Sequence, residues 1–383
     1  MNTLFFVLCL VATGASHLVH GIQNTHKEDQ ELERQLKLLN KPPVKSIHTK
    51  FGYIVDCIDI NKQPTFDYPL LKNHKLQKKP FHQKSRRKTN VTSSQTRSIF
   101  GLHKVQCPTG AVPIRRITKD DLIRNKLLLK NHVMTKEAPG YHYAQASLTP
   151  LAGPYYGVSG QNSVYNPKVQ RKDQISASHL WVQNGPIHAV NKITFGWQVD
   201  PQLYGGDEGT YVYARWNGGC FNILCPGFVQ IHKGYYLGAL VTDTSIYGGT
   251  MVEYNLAIYQ EQRTKDWWLR MGNENIGYFP AKLFTTMFSA NIVGWGGSTR
   301  TPPGSPSPQM GSGYFPDDNF VHACYFRHVG FQNTSRQYYG PPKYTVNTYN
   351  DNPNCFGVEY YGDQKREVGY SLQFGGPGGN CGN

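Results

Sequence analysis

The residues of this 383-residue chain that could do chemistry are few and scattered. His322, Cys324 and His328 are close in sequence and at even spacing, so they could share one strand face. A metal site or a cysteine nucleophile would need convergent partners and an activated thiolate; a buried structural cysteine needs neither. Asp200, Asp243 and Glu253 lie in or beside strand-like runs and are the carboxylates with a claim on acid–base work. Gly311-Ser312-Gly313 is not a nucleophile elbow, and the chain has no phosphate-binding loop and no His-Glu-x-x-His pair. These patterns imply neither a metal nor a cofactor.

Strands must position these residues. From about Leu128, Tyr, Val, Ile and Trp recur in short runs with Gly, Pro and Asn between them, as in Gly227 to Leu240, Thr250 to Tyr259 and Asp266 to Met271. Such spacing predicts an antiparallel sandwich or barrel. Only 17% of residues are charged, while 39 are Gly and 25 are Tyr, which favours sheet over helix. Thr299 to Gln309 is too rich in proline to pair as a strand. Upstream, Leu32, Leu36 and Leu39 mark one face of a short helix over Lys27 to Asn40, ended by Pro42-Pro43. Phe51 to Ile60 reads as a strand. His74 to Ser98 reads as a solvated basic loop, open to an outside protease at Arg86-Arg87-Lys88.

Met1 to about Gly21 has the apolar run and small residues of a secretory signal, and nothing later could span a membrane. An exported, extracellular protein fits the cysteines: with Cys9 removed, seven remain, an odd number. Cys355 with Cys381 would tie down the C-terminal tail, a gain of roughly 3 to 4 kcal/mol by loop entropy. Asn90-Val91-Thr92 and Asn333-Thr334-Ser335 are glycosylation acceptors. The formal charge of +15 is concentrated upstream: residues 22–130 hold 23 Lys/Arg against 9 Asp/Glu, and the rest 17 against 16. The near-neutral C-terminal part offers no basic face for nucleic acid.

One run, Ile193-Thr194-Phe195-Gly196-Trp197-Gln198-Val199-Asp200-Pro201-Gln202-Leu203-Tyr204-Gly205, continues to Gly219-Cys220-Phe221-Asn222-Ile223-Leu224-Cys225-Pro226-Gly227-Phe228. It resembles the first signature block of the neprosin family, secreted glutamic endopeptidases with a preference for proline. Lys265-Asp266-Trp267-Trp268-Leu269, Gly277 to Phe284, Val293-Gly294-Trp295-Gly296-Gly297, Gln309 to Pro316, Tyr325-Phe326-Arg327, Asn354-Cys355 and Phe374 to Gly378 extend the resemblance. Phe51 to Ile60, Gln63 to His74 and Cys107 to Arg116 resemble the activation peptide that precedes such domains. The resemblance implies a signal peptide over 1–21, a mixed, partly helical prosegment over 22–130 with Cys57 paired to Cys107, and a peptidase-like domain over 131–383. It implies a Cys220 to Cys225 pair, which leaves Cys324 odd. The implied fold is all-β, a two-layer antiparallel sandwich with a cleft across one concave face.

The chemistry implied is that of two glutamates, one taking a proton from water while the other, kept protonated, polarises the scissile carbonyl. Aligned on Trp197 and Trp295, the two glutamate positions hold Thr194 and Ser298. Each offers only a hydroxyl, which cannot serve as the general base. Trp197, Gln198, Tyr204, Trp267 and Trp295 resemble residues that line or support the family's cleft, and equally fit a sandwich core. A cleft of rings without carboxylates could still hold proline-rich peptide or cell-wall polypeptide. The leading expectation is thus a secreted, non-catalytic relative that binds polypeptide or its own prosegment, not nucleic acid or membrane. An active acid peptidase with relocated carboxylates, and a structural extracellular protein with an occupied cleft, are the alternatives.

Overall fold

The computed structural model describes residues 27–81, 107–132, 140–186, 189–216, 220–365 and 367–383. The signal stretch, Arg86-Arg87-Lys88 and Asn90 lie outside the described residues. Two antiparallel sheets pack face to face, as the sequence predicts. The first runs β17 (Val346–Asn350), β4 (Tyr141–Leu148), β14 (Ile292–Arg300), β6 (Ile175–Asn184), β7 (Asn191–Val199), β8 (Thr210–Trp216) and β9 (Cys220–Phe221). The second runs β10 (Val229–Gln230), β13 (Glu274–Phe279), β12 (Trp267–Met271), β11 (Glu253–Gln260), β5 (Gly157–Ser163), β15 (Cys324–Gln332), β19 (Tyr370–Gly375) and β18 (Gly357–Asp363). A short β16 (Tyr338–Tyr339) pairs with β15.

Alternation assigns the faces. In β7, Ile193, Phe195 and Trp197 are fully buried and belong to the main apolar cluster with Leu180, Val182, Val212 and Trp295 from the same sheet, and with Leu256, Trp267, Leu269 and Phe326 from the other. Three indole N–H groups find carbonyls within that layer: Trp197 donates to Ser163 at 3.0 Å, Trp295 to Ser159 at 3.0 Å and Trp267 to Met287 at 3.0 Å. Each ring thus fills the core without stranding its polar edge. Thr194, Gly196 and Gln198 consequently point to the outer face of the seven-stranded sheet.

The N-terminal segment is mixed in structure. It supplies a helix over 27–39, a three-stranded sheet of β1 (Lys45–His48), β2 (Ile54–Asp59) and β3 (Ala111–Arg115), and a second helix, Lys119–His132. The second helix starts with a reciprocal cap: the Asp121 carboxylate accepts from the Thr118 backbone N–H at 2.7 Å, and the Thr118 hydroxyl accepts from the Asp121 N–H at 3.1 Å. The segment is not loosely appended. Val55, Cys57, Leu71 and Ala111 belong to the same apolar cluster as the sandwich. The Thr65 hydroxyl donates to Phe228 O at 2.5 Å, and Gln63 exchanges bonds with the Gln230 backbone at 2.9 and 2.8 Å. The disulfides Cys57–Cys107, Cys220–Cys225 and Cys355–Cys381 are formed, and Cys324 is the free, buried cysteine among the described residues.

Candidate functional site

Thr194 and Ser298 both lie on the outer face of the seven-stranded sheet, on strands separated only by β6. Thr194 stands opposite Trp181, and Ser298 opposite Ala177. Two strand spacings and four residues of offset put their Cα atoms roughly 16 Å apart. The residue midway between them on the same face is His179.

His179 holds the centre of a row. Its cross-strand neighbours are Gly296 on β14 and Gly196 on β7, and beyond these stand Gln145 and Tyr213. Neither glycine is replaceable: a Cβ on Gly196 would lie 2.0 Å from Ser178 O, and one on Gly296, at φ 149°, 2.3 Å from Ala144 O. With no side chain at either position, Gln145 and Tyr213 lean inward over them. The Tyr213 hydroxyl lies 2.9 Å from Nδ1 of His179, and Nε2 of Gln145 lies 3.3 Å from Nε2. The row thus fills the middle of the face with a polar network. Burial, with Lys192 and Arg215 nearby, holds the imidazole pKa well below 6.5. Gly196→Ala is expected to cost at least about 3 kcal/mol, because the opposing atom is backbone and cannot yield. Urea denaturation of the variant measures it.

Carboxylates are missing where the chemistry would need them. None of the seven strands of this sheet contains Asp or Glu. Asp351, one residue past β17, is taken up by His142 at 2.6 Å and by the Tyr143 N–H at 2.6 Å, and Asp200 stands one residue past β7. Asp200 is fully buried, and burial raises its pKa to about 7 against a backbone bond from Leu203 N to Oδ1 at 3.0 Å; its Oδ2 has no partner. Glu253 belongs to the other sheet, where it accepts from Arg327 at 2.6 Å, from Gln161 at 2.6 Å and from the Tyr325 hydroxyl. Asp243 is exposed in a loop.

Of the aromatic candidates, Gln198 and Tyr204 face outward, while Trp197, Trp267 and Trp295 stand between the sheets and can support the face but not line it. His322, Cys324 and His328 do not converge. His322 pairs with Asp317 at 2.6 Å and stacks on Tyr247, Cys324 is buried against Ser163 with its thiol pushed up to about 12 by burial, and His328 is exposed beside a bulge. No cluster of three or more His, Cys, Asp or Glu able to hold a metal exists among the described residues. Asn333 stands in a surface turn, its side-chain oxygen accepting from Ser335 N at 2.9 Å. His179, Tyr213 and Gln145 escape a reading of motifs; the signal that could have found them is glycine inside two strands, which marks close backbone approach.

The tyrosine end of the face is covered by the N-terminal segment. Tyr204, Tyr211, Tyr213 and Phe221 cluster with Leu203 and Leu240, and Phe51, Tyr53 and Leu224 pack against them. The Tyr53 and Tyr236 hydroxyls lie 3.1 Å apart. Further round, His74 meets the Tyr278 hydroxyl at 2.8 Å, and Gln77 donates to Asp266, whose pKa burial raises to about 6.

Comparison with known proteins gives two family matches. The Neprosin pattern covers residues 172–377, and the Neprosin activation peptide pattern covers residues 46–148, reaching through β4. Among solved structures, the chain is similar to scytalido-glutamic peptidase with a transition state analog inhibitor, at 6% identity over 62% of this chain and 98% of that one, with a TM-score of 0.37. It is also similar to SCP-B, a member of the Eqolisin family of peptidases in complex with the tripeptide Ala-Ile-His, at 8% identity over 62% and 97%, with a TM-score of 0.32.

Proposed function

The chain belongs to the neprosin family, and from that membership we propose that it is a secreted, non-catalytic relative that holds polypeptide on the outer face of its seven-stranded sheet. The observation that carries the reading is the absence of Asp and Glu from all seven strands, with Thr194 and Ser298 at the glutamate positions that the family resemblance implies. Hydrolysis of a peptide bond by water needs a group that accepts a proton and a group that donates one. Hydroxyls do neither in the acid range, and His179 is a poor proton acceptor, because burial beside Lys192 and Arg215 disfavours its charged form and its ring nitrogens are engaged by Tyr213 and Gln145.

Binding requires less. The β17 end of the face carries Tyr349, more than half exposed, with Tyr143 and Tyr141 behind it and Arg300 beside Tyr141. Rings so arranged stack on pyrrolidines, which favours proline-rich segments already ordered as a polyproline helix. Without the two glutamates the chain has no means of cutting its own activation peptide, which stays in place unless another protease removes it. Its apolar residues in the common core favour that outcome.

Purified full-length protein, incubated from pH 3 to 7 with a quenched proline-containing peptide, is expected to release no product and to keep its N-terminal segment by mass spectrometry. A second reading has one observation in its favour, the buried Asp200 with an unpartnered Oδ2 and a pKa near 7. Peptide cleavage at acid pH that disappears in Asp200→Asn would establish that reading and overturn the first.

A further inference from the structure

Arg115, the last residue of β3, reaches from the N-terminal segment onto the tyrosine end of the outer face. Its guanidinium lies 4.4 Å from the centroid of Tyr53, 5.1 Å from that of Tyr204 and 5.5 Å from that of Tyr211. Nη1 donates to Gly238 O at 3.4 Å. No carboxylate forms an ion pair with Arg115 among the described residues. The charge is therefore balanced by ring faces and a carbonyl, which is how a cation–π site works when carboxylates are lacking.

The receiving rings are fixed by the sandwich, independently of Arg115. Tyr204 and Tyr211 stack at 3.6 Å with their planes 10° apart. Asn222 Nδ2 donates to the Tyr204 hydroxyl at 3.2 Å, while Asn222 Oδ1 accepts from Ala214 N at 3.0 Å. Asn222 is held at φ 49° inside the loop closed by Cys220–Cys225. Tyr211 is also one step along β8, roughly 7 Å, from the Tyr213 end of the His179 row. A chain crossing the middle of the face would pass within a side chain's reach of the pair.

We propose that the Tyr204–Tyr211 pair is an arginine-recognition site, filled in the full-length protein by the chain's own Arg115, and that polypeptide taken by the outer face presents an arginine there once another protease has removed the N-terminal segment. Only the second half rests on the peptide-binding reading; the arginine site stands without it. Guanidinium is favoured over ammonium because its plane matches a ring face and its edge still donates to the Gly238 carbonyl.

The test uses the full-length chain with Arg115→Ala, titrated with N-acetyl-arginine amide and followed by tyrosine chemical shifts. The expected result is saturable binding at least about tenfold tighter than that of N-acetyl-citrulline amide, which keeps the shape and loses the charge. Wild type, with the site filled, should not bind, and adding Tyr211→Leu should abolish binding. Equal affinity for citrulline, equal binding by wild type, or no binding by a natively folded variant would overturn the proposal. Should Arg115→Ala not fold, Arg115→Gln, which keeps a donor for Gly238, carries the same titration. Binding of the arginine amide without binding of a proline-rich, arginine-containing peptide after proteolytic removal of the N-terminal segment would uphold the site and refute the peptide-binding reading alone.

Discussion

Thr194→Glu with Ser298→Glu is expected to yield an acid endopeptidase, with cleavage of a proline-containing peptide rising at least about 100-fold over wild type near pH 4. The geometry makes this plausible chemistry. Both positions are on one face, and with Cα atoms roughly 16 Å apart, two glutamate side chains of ~4 Å reach that lean toward each other bring their carboxylates to within roughly 8 Å. That gap is too wide for a directly shared proton. It is wide enough for a water and a scissile carbonyl to lie between the two groups, as in pairs of carboxylates that activate water across a substrate.

His179 stands in that gap and sets a second expectation. With a carboxylate on either side, the imidazole would gain a proton, and the resulting cation would keep both glutamates ionised. The protonated acid would then be scarce except at low pH. Adding His179→Gln, which can still bond Tyr213 and Gln145 without titrating, should raise the rate and move its optimum upward. Mass spectrometry of the N-terminal segment belongs in the same experiment, since cleavage of its own precursor would be the most sensitive sign of a restored site. If both the double and the triple variant fold and neither cleaves, the two positions are not where the family's chemistry resides.

The sandwich was legible because alternation is a strong signal when one face is buried. The alternating run Ile193, Phe195 and Trp197 is found in the core. The helix over 27–39 follows its leucines, but the helix at Lys119–His132 went unread although Thr118 and Asp121 hold the spacing of a reciprocal cap. The expected loop from Thr299 starts two residues late, because β14 runs to Arg300 and proline begins only at Pro302. Gly227 to Leu240 yields one two-residue strand, β10. The resemblance assigns Thr194 and Ser298 to the family's glutamate positions through the anchors Trp197 and Trp295, yet the same tryptophans could not be assigned to cleft or core by type alone. What fills the face was not readable. The row Gln145–His179–Tyr213 unites strands far apart in sequence, and Arg115 arrives from another layer, so both depend on sheet order rather than on any local pattern.

Asp200→Asn is expected to flatten the pH dependence of stability. The folded protein raises the carboxyl from 3.8 to about 7 by burial. Between those values the native state keeps a proton that the unfolded chain has released, so stability falls as pH rises through that window and is steady above it. Three pKa units correspond to about 4 kcal/mol. Asparagine can still accept from Leu203 N and carries no charge at any pH. The variant should therefore match wild type near pH 3 and exceed it by up to about 4 kcal/mol near pH 8, measured by urea denaturation across that range. Asp266, raised to about 6 where Gln77 of the N-terminal segment meets it, acts in the same direction. These two buried acids each contribute stability in mild acid that is lost as pH rises toward about 6 and 7, respectively. Parallel pH curves for the variant and wild type would show that Asp200 is solvated, and would remove with it the acid on which the catalytic alternative depends.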